Sequence, residues 1–524
     1  MSGHRGESTV YDFVVVGAGS AGCVVASRLA RPGVKVALLE AGGPYRRILD
    51  IPLVSLWAWL RRPESFCWQN DTVPQPRLDG RRIWWPSGRL VGGSSSINAM
   101  IYTRGHPQSY DRWRIGGDVD WSFDALLPYF RRAEDQERGE SLYHGTGGPL
   151  GISDTRYPNP LARAFIEGCG EAGIEPIDDF NGSTGFGAGF LQTFERDGRR
   201  STTAAYLSSA DARARVTLHL RARASRLLIE GTRAVGVEYI SEGRLHQVRA
   251  SREVIVCSGT VRSPRLLMLS GIGPADDLRA AGVPVIADRP EVGRNLRDHV
   301  RVPVLRALNR RRPTHPFALV RGAFDYLSSR SGLLTSNVCD AAALVLQEAV
   351  SRIPQIRIVC RWRAKPQESE TLVDFEVVLI DPASVGRLSL AGNAPEGPLA
   401  IDPCYLREER DGRSLAEGIA LARRIAETAP CKAVGIGAEF LPGKIDVATH
   451  IASHADSAYH PVGTCRMGSD AHAVVDPRLR VIGVSSLRVV DASVMPTTVS
   501  GNAQAAVVAI AERAADLINE DAGS

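Results

Sequence analysis

Short apolar runs followed by helical patterns recur at the start, in the middle and at the end of the chain. Residues 10–16 (VYDFVVV) are typical of a buried strand; they lead into a glycine-rich turn, and residues 23–30 follow with helical spacing. A second apolar run, residues 34–40, ends in Glu40. This order predicts a strand–helix–strand unit, from which parallel sheets covered by helices are built.

Further apolar strands are predicted at residues 253–257 and 487–491, more than two hundred residues apart in the chain. A helix with regularly spaced apolar residues, 503–518, closes the pattern. Strands that recur so far apart predict one α/β domain assembled from discontinuous segments. Three apolar runs before the middle strand predict a small antiparallel meander that leads directly into that strand. These runs are residues 216–220, 226–230 and 234–239. The intervening region mixes a helix, 415–428, with short strands: 355–361, 374–380 and 386–389.

Composition and charge narrow the class of protein. Hydrophobic residues make up 44% of the 524 residues and charged residues 23%, which is ordinary for a globular protein. The net charge of +5 is spread too thinly to indicate a nucleic-acid partner. No apolar run approaches the roughly 18 residues of a membrane span. Nine scattered cysteines without a C-x-x-C pair, and a polar start unlike a signal peptide, predict a soluble, reduced, cytoplasmic protein.

The first motif with chemical meaning is the turn after the first strand. Its glycines, Gly17, Gly19 and Gly22, have the G-x-G-x-x-G spacing that lets a backbone approach a pyrophosphate at a helix N-terminus. Glu40 ends the second strand, where a carboxylate accepts a hydrogen bond from a ribose hydroxyl. The motif predicts a dinucleotide site but leaves NAD and FAD open. The predicted contacts are Gly17, Gly19, Ser20, Ala21, Gly22, Glu40 and Ala41.

Two longer glycine-rich segments add to this site. Residues 88–100 contain paired glycines followed by three serines, which make a loop dense in hydrogen-bond donors. Residues 259–274 follow the middle strand and predict a turn, a helix and a glycine stop. Taken alone, the first is also compatible with a plain linker and the second with an ordinary strand–helix joint.

In this order the segments resemble the glucose–methanol–choline (GMC) flavoprotein oxidoreductases. Residues 88–111 resemble the first signature of that family and 259–273 the second, while Asn295 with Asp298-His299 resembles a third element. The resemblance covers nearly the whole chain and implies FAD in a Rossmann-like domain, with a second, α+β, substrate-binding domain that contains an antiparallel sheet. The flavin side is then expected to include Arg89, Val91, Gly92, Gly93, Ser94, Asn98, Ala99, Met100, Asp491 and Ala492.

The resemblance also indicates domain limits. Residues 9–307 are expected to be mostly FAD-binding, with insertions at about 46–80 and 106–195 that contribute lid and substrate-domain parts. Residues 308–474 are expected to bind substrate, and residues 475–518 return to the FAD-binding domain.

The predicted catalytic pair lies near the C-terminus. His460, in YHPVGTCRMG, is similar to the active-site histidine of the family, and Asn502, in SGN, to its second polar group. Oxidation of an alcohol requires removal of a hydroxyl proton, for which imidazole is suited near neutral pH. A neighbouring carboxamide binds the same oxygen without titrating.

Three other histidines receive different interpretations. His299 matches a family motif, and we expect a structural role for it. His450 and His454 have the i, i+4 spacing of metal ligands but lack a third ligand, so an exposed helix face is preferred and no metal site is predicted.

Several positions bear on cofactor attachment and substrate. Family members that bind flavin covalently have a histidine where this chain has Ile97, which predicts non-covalent FAD. Asp340 resembles the position of a carboxylate in choline-directed members, although an acid there is also found with other substrates. Residues 51–60, apolar, aromatic and followed by Arg61-Arg62, predict a lid, a peripheral membrane contact or core packing.

The predicted function is FAD-dependent oxidation of a primary alcohol, a CH–OH donor, to its aldehyde. The resemblance to compact bacterial, choline dehydrogenase-like members favours a dehydrogenase with a quinone or protein acceptor. Three alternatives stay open: an alcohol oxidase that uses O2, an FAD-containing cyanohydrin lyase, and a flavin protein that only transfers electrons.

Overall fold

A computed structural model of the protein describes residues 10–55, 64–157, 159–309, 316–347, 353–364, 371–394 and 397–523. Two large sheets, one mostly parallel and one antiparallel, organise the chain. The first half of the predicted 51–60 segment is described: Leu53 is buried, and the buried Ser55 accepts a hydrogen bond from Arg200. This half packs in the core. Residues 56–60 lie outside the described residues.

The mostly parallel sheet is assembled from distant segments, as predicted. Its first strand, Val10–Val16, pairs in parallel with Val36–Leu39 on one side and with Arg244–Val256 on the other. The end of the long strand Arg244–Val256 also pairs in parallel with Leu487–Val489. The strands of this sheet are Val10–Val16, Val36–Leu39, Val216–His219, Arg223–Glu230, Arg233–Ser241, Arg244–Val256 and Leu487–Val489.

The prediction of a three-strand antiparallel meander is wrong for its first strand, Val216–His219. Arg223–Glu230, Arg233–Ser241 and Arg244–Val256 do form antiparallel neighbours. Val216–His219, however, pairs in parallel with Val36–Leu39 at the opposite edge of the sheet. The turn after His219 therefore carries the chain across the sheet instead of back along it.

The antiparallel sheet contains strands from both halves of the sequence. Its outer strand Gly187–Phe190 precedes the others by more than one hundred residues, and Leu305–Leu308 spans the predicted domain limit at 307/308. The strands are Gly187–Phe190, Val300–Val302, Leu305–Leu308, Ala341–Val345, Ile356–Ala364, Thr371–Leu379, Ile436–Leu441 and Asp456–Ser457.

Short strand pairs and helices complete the described chain. The pairs are Cys67–Trp68 with Ser87–Gly88, Ile101–Tyr102 with Gln192–Thr193, Glu134–Gln136 with Leu150–Ile152, Glu195–Arg196 with Arg199–Arg200, Ile272–Gly273 with Ala287–Asp288, and Arg387–Leu390 with Leu399–Asp402. The α-helices are Ser20–Leu29, Pro107–Asp111, Phe123–Ala133, Pro160–Glu171, Ala210–Arg215, Gly259–Leu269, Ala275–Ala280, Pro316–Ser329, Glu409–Ala426, Ala429–Ala433, Val447–His454 and Ala503–Gly523.

The last helix, Ala503–Gly523, is held against helix Ser20–Leu29 by a buried charge. Glu512 is fully buried and pairs with Arg28 at 2.8 Å and with Arg132 at 2.7 Å. A buried carboxylate needs such partners, because burial without them costs several kcal/mol, roughly. The helix start, where Asn502 lies, is thereby fixed relative to the parallel sheet.

The described residues contain neither a candidate membrane-spanning helix nor a metal-binding cluster. None of their helices combines the length and the apolar character needed to cross a bilayer. They also contain no group of three or more His, Cys, Asp or Glu side chains placed to hold a metal ion. All nine cysteines are free thiols.

Candidate active site

A cavity of about 1410 Å³ lies between the two sheets. It exceeds the roughly 300–1,000 Å³ typical of small-molecule sites, as a dinucleotide together with a substrate requires. One end of it lies at the carboxyl edge of the parallel sheet, next to the residues that follow Val16, Leu39, Val256 and Val489. Ligands of open α/β sheets bind at this edge.

Glycines form the floor of this end because the backbones are too close for side chains. A Cβ on Gly17, whose φ is +101°, would lie 2.6 Å from the carbonyl oxygen of Cys257. A Cβ on Gly93 would lie 2.6 Å from the Cα of Gly19, so two separate sequence motifs touch here. Helix Ser20–Leu29 begins at Gly19 without a side-chain cap or an acid in its first turn. Its free N–H groups and positive dipole end suit a pyrophosphate.

Glu40 lies beside this floor. Its carboxylate accepts hydrogen bonds from the backbone N–H of Gly42 at 2.7 Å and of Ala18 at 3.0 Å. Burial raises its pKa, although these two hydrogen bonds oppose the shift. Each carboxylate oxygen retains a lone pair that can accept from a ribose hydroxyl.

Most of the predicted site residues are brought together. The predicted residues that line the cavity are Gly17, Gly19, Ser20, Ala21, Glu40, Ala41, Gly93, Ser94, Asn98, Ala99, Met100, Asp491, Ala492, His460 and Asn502.

Four other predicted site residues do not line the cavity and instead contact residues of the neighbouring loops. Gly22 packs against Gly17, Val91 donates its N–H to Gly43, and the carbonyl of Gly92 accepts from Ser95. The Arg89 guanidinium lies over the Trp68 ring at 4.7 Å.

Asp491 lines the cavity and accepts hydrogen bonds from two separate elements. Its Oδ2 accepts from the N–H of Gly259 at 2.8 Å and from Ser263 at 2.5 Å, and its Oδ1 accepts from the N–H of Ser493. Burial raises the pKa of this carboxyl. Asp491 thus joins the strand Leu487–Val489 to the start of helix Gly259–Leu269.

His460 and Asn502 meet at the other end of the cavity. Asn502 Nδ2 lies 2.9 Å from His460 Nε2, and His460 Nδ1 lies 3.0 Å from His299 Nδ1. The predicted catalytic pair is therefore in direct contact. His299, for which we expected a structural role, contacts the proposed base itself.

Two donors fix the orientation of the Asn502 amide. Arg357 Nη1 donates to Asn502 Oδ1 at 2.7 Å, and Thr103 Oγ1 donates to the same oxygen at 3.0 Å. Since Oδ1 accepts both, Nδ2 faces His460 and donates to Nε2. Nε2 is then the unprotonated nitrogen, and the Nδ1–H of His460 donates to His299.

Asp298 holds the backbone of His460 in place. Its Oδ1 accepts from the His460 N–H at 2.8 Å, and its Oδ2 accepts from the hydroxyls of Ser457 and Tyr405. Burial raises the pKa of Asp298 to about 6. The side chain connects the chain just before strand Val300–Val302 to the loop that carries His460.

The two histidines are held neutral. Burial lowers the pKa of His460 well below 6.5, and the nearby His299 and Arg357 lower it further. Burial, together with Arg357, lowers the pKa of His299 to about 3. A neutral imidazole with a free Nε2 is the form that accepts a proton.

These shifts predict a pH-dependent stability. Below pH 6.5 the unfolded chain protonates His299 and His460 while the folded chain does not, so stability falls as the pH falls. Asp298 opposes this between pH 3.8 and about 6, because the folded chain keeps its proton there. The three groups together leave one extra proton on the unfolded chain. These three groups then contribute a fall of about 1.4 kcal/mol per pH unit in the free energy of unfolding between roughly pH 6 and 4.

Chemical unfolding of the holoenzyme at pH 5 and pH 6, in the wild type and in a variant, isolates the contribution of one histidine, because the other titrating groups, such as Glu195 and Asp340, are common to both proteins. His299→Asn should reduce the difference between the two pH values by about 1.4 kcal/mol relative to the wild type. His246→Asn, at an exposed position, serves as the matched control. Equal slopes in the wild type and in His299→Asn would contradict the assignment.

Sequence reasoning missed Arg357 and Thr103. Arg357 lies between Ile356 and Ile358 in a strand that is buried in this part. An arginine in such a run is itself a signal, because a buried cation needs a specific role.

The structure differs from two other expectations, which concern His450 and Asp340. The expected exposed helix face at His450 is wrong: His450 is fully buried, and its Nε2 contacts the carbonyl oxygen of Pro303 at 2.9 Å. Asp340 is directed away from the cavity, since its carboxylate accepts from Thr155 at 3.3 Å and from Asn159.

Comparison with known proteins identifies the family. The GMC oxidoreductase family model matches residues 11–301 with its N-terminal part and residues 382–511 with its C-terminal part. An alcohol dehydrogenase [acceptor] of Pseudomonas putida is 39% identical over 97% of this chain and 96% of its own length. The mitochondrial choline dehydrogenase of Mus musculus is 40% identical over 97% of this chain and 89% of its own.

A solved structure shows the same fold. Pyridoxine 4-oxidase from Mesorbium loti superposes with a TM-score of 0.87 at 34% identity, over 97% of this chain and 98% of its own. The fold and site are those of an FAD-dependent oxidoreductase that acts on CH–OH donors. The chain belongs to the GMC oxidoreductase family. The glycine floor, the open helix start and Glu40 fit the ADP half of FAD.

Proposed function

We propose that the protein oxidises a primary alcohol to its aldehyde, with His460 as the base. The observation that carries this proposal is the contact of Asn502 Nδ2 with an unprotonated His460 Nε2 on the cavity wall. An alcohol oxygen that contacts both atoms replaces their mutual hydrogen bond: it donates its proton to Nε2 and accepts a hydrogen bond from Nδ2. The same constellation supports the sites proposed from the sequence.

Each residue of the proposed site has a separate role in the reaction. His460 takes the hydroxyl proton, and Asn502 holds the oxygen while negative charge builds on it. Arg357 and Thr103 keep the amide in the required orientation, and Asp298 positions the backbone of the base. When bound, FAD supplies the acceptor for the hydride that leaves the carbinol carbon, so the two electrons and the two hydrogens of the alcohol are accounted for.

We propose that FAD is held without a covalent bond. Ile97 lines the cavity beside the glycine-rich loop and has no nucleophilic atom. Acid precipitation of the yellow holoenzyme should therefore release all flavin into the supernatant, measured by its absorbance. Flavin fluorescence retained in the washed, denatured pellet would contradict this prediction.

We propose residues 9–307 and 475–518 as the mainly FAD-binding domain, residues 308–474 as the substrate-binding domain, and the cytoplasm as the location.

For the electron acceptor we propose a quinone at a membrane surface, with a protein acceptor as the alternative. One face of helix Pro316–Ser329 supports this contact. Its large apolar side chains recur every three or four residues and are exposed: Phe317 74%, Val320 70%, Phe324 71% and Leu327 76%. The sequence before the helix carries three arginines, residues 310–312, which suit anionic headgroups.

Vesicle binding tests this contact. The double variant Phe324→Ser, Leu327→Ser should bind vesicles containing phosphatidylglycerol at least about tenfold more weakly, since burying each side chain is worth roughly 1.5–3 kcal/mol. The matched control is Leu142→Ser, Leu245→Ser, which removes exposed apolar side chains elsewhere. If both double variants bind as the wild type does, the helix is not the contact.

Anaerobic reduction tests the reaction itself. Mixing the holoenzyme with primary alcohols without oxygen should bleach the flavin absorbance near about 450 nm and yield an aldehyde. An unchanged spectrum with release of aldehyde and cyanide from a cyanohydrin would identify a lyase. An unchanged spectrum with every alcohol and cyanohydrin would leave a protein that only transfers electrons. Reoxidation by a quinone analogue, and slow reoxidation by O2, would support a dehydrogenase.

A further inference from the structure

Arg357 has more hydrogen-bonding capacity than its surroundings use. The residue is 4% exposed and lines the cavity, and its one hydrogen bond to a described residue goes from Nη1 to Asn502. Its Nε has no partner among the described residues, and none of their carboxylates lies within ion-pair distance. A buried guanidinium with an unpaired donor edge is costly unless a ligand satisfies it.

Two other arginines that line the cavity near Arg357, Arg301 and Arg361, are already paired with carboxylates. Arg301 pairs with Glu376 at 3.0 Å and with Asp456 at 2.9 Å. Arg361 pairs with Asp374 at 3.0 Å and also with Glu376. Glu376, the carboxylate on this part of the wall, is therefore shared by two cations and is not directed at Arg357.

The position of Arg357 places its charge next to the reacting group. A single amide, that of Asn502, separates its Nη1 from His460 Nε2. A substituent on an alcohol bound by the catalytic pair is therefore within reach of the guanidinium. A quaternary ammonium group here would face a cation, and the acid at Asp340 is directed elsewhere.

We propose that Arg357 binds a carboxylate of the substrate, so that the substrate class is short primary alcohols carrying a carboxylate group. This inference rests on the proposed alcohol oxidation. Since Nη1 donates to Asn502, Nη2 is left to donate a charge-assisted hydrogen bond to a carboxylate oxygen. A phosphate, with its second negative charge, would call for a further unpaired cation, whereas the neighbouring arginines are paired.

The wild-type enzyme gives the first test. We compare kcat/KM for 3-hydroxypropanoate and 4-hydroxybutanoate with the corresponding amides, which have the same shape without charge, and with choline. The acids should exceed their amides by about ten- to hundredfold, as expected for a hydrogen-bonded charge pair, and choline should be the poorest substrate. Amides or choline oxidised as well as the acids would overturn the assignment.

Variants separate recognition from positioning. Arg357→Met should lower turnover of both substrate types because Asn502 loses a donor, and it should also reduce the acid-to-amide ratio to about one. Thr103→Val removes the other donor to Asn502 without changing charge, so it should lower turnover and leave the ratio intact. Arg357→Lys should restore part of the ratio.

The outcomes distinguish the two proposals. No bleaching with any alcohol would reject the proposed function. Bleaching with neutral alcohols and no preference for acids would reject only the role of Arg357. An unchanged ratio in a folded Arg357→Met would also reject that role, and if this variant does not fold, the wild-type ratio decides.

Discussion

Replacing His460 by alanine should lower kcat by about two to four orders of magnitude, the range for loss of a general base, while FAD stays bound. The imidazole is the group on the cavity wall that accepts from Asn502 and is kept neutral by burial. Its removal leaves the alcohol without a proton acceptor. The glycine floor and Glu40 lie at the other end of the cavity, so cofactor binding is unaffected.

Steady-state turnover and the flavin-to-protein absorbance ratio measure the two parts of this prediction. His246→Ala is the matched control, because this histidine is exposed on the hairpin that ends in Arg244–Val256. It should retain wild-type turnover. Activity of His460→Ala within a few-fold of the wild type would exclude this residue as the base.

Replacing Gly93 by alanine should weaken FAD binding about ten- to hundredfold, since overpacking costs roughly 1–3 kcal/mol. The new Cβ would lie 2.6 Å from the Cα of Gly19, and a backbone atom cannot rotate away as a side chain can. The two loops must separate, and both line the cavity. The purified variant should therefore be pale and regain colour only with excess FAD.

Gly33→Ala isolates the steric cause. Gly33 also has a positive φ, +81° against +53° at Gly93, but nothing lies within 4 Å of its added Cβ. Both variants carry a left-handed alanine, at a cost of about 1–2 kcal/mol. Titration of the apoproteins with FAD should show a raised Kd for Gly93→Ala alone. A Kd raised equally in both variants would mean that backbone strain, not contact between the loops, determines the effect. A wild-type Kd in both variants would contradict the prediction.

The parts of the fold that local patterns specify were predictable. The strand Val10–Val16, the glycine turn and the last helix each have an unbroken periodicity or a motif with a steric reason. The pairing of Val216–His219 was not, because a short apolar run does not reveal which edge of a sheet it joins.

The site was predictable as far as its motifs extend. His460 and Asn502 belong to recognisable segments, and the structure places them 2.9 Å apart. The place of Arg357 in an apolar run marks it as unusual, but its contact with Asn502, 145 residues away, depends on the packing of the two sheets and was not predictable. The burial of His450 was missed for the same reason: i, i+4 spacing describes a helix face but not its neighbour.

In the proposed reaction, the contact between His460 and His299 limits how the hydrogen ion leaves after each turnover. His299 is almost completely buried, and its low pKa makes it a poor relay toward the interior. The Asn502 amide does not carry a proton onward. The proton therefore reaches bulk water only past the bound aldehyde. Release of the product and deprotonation of His460 are then coupled.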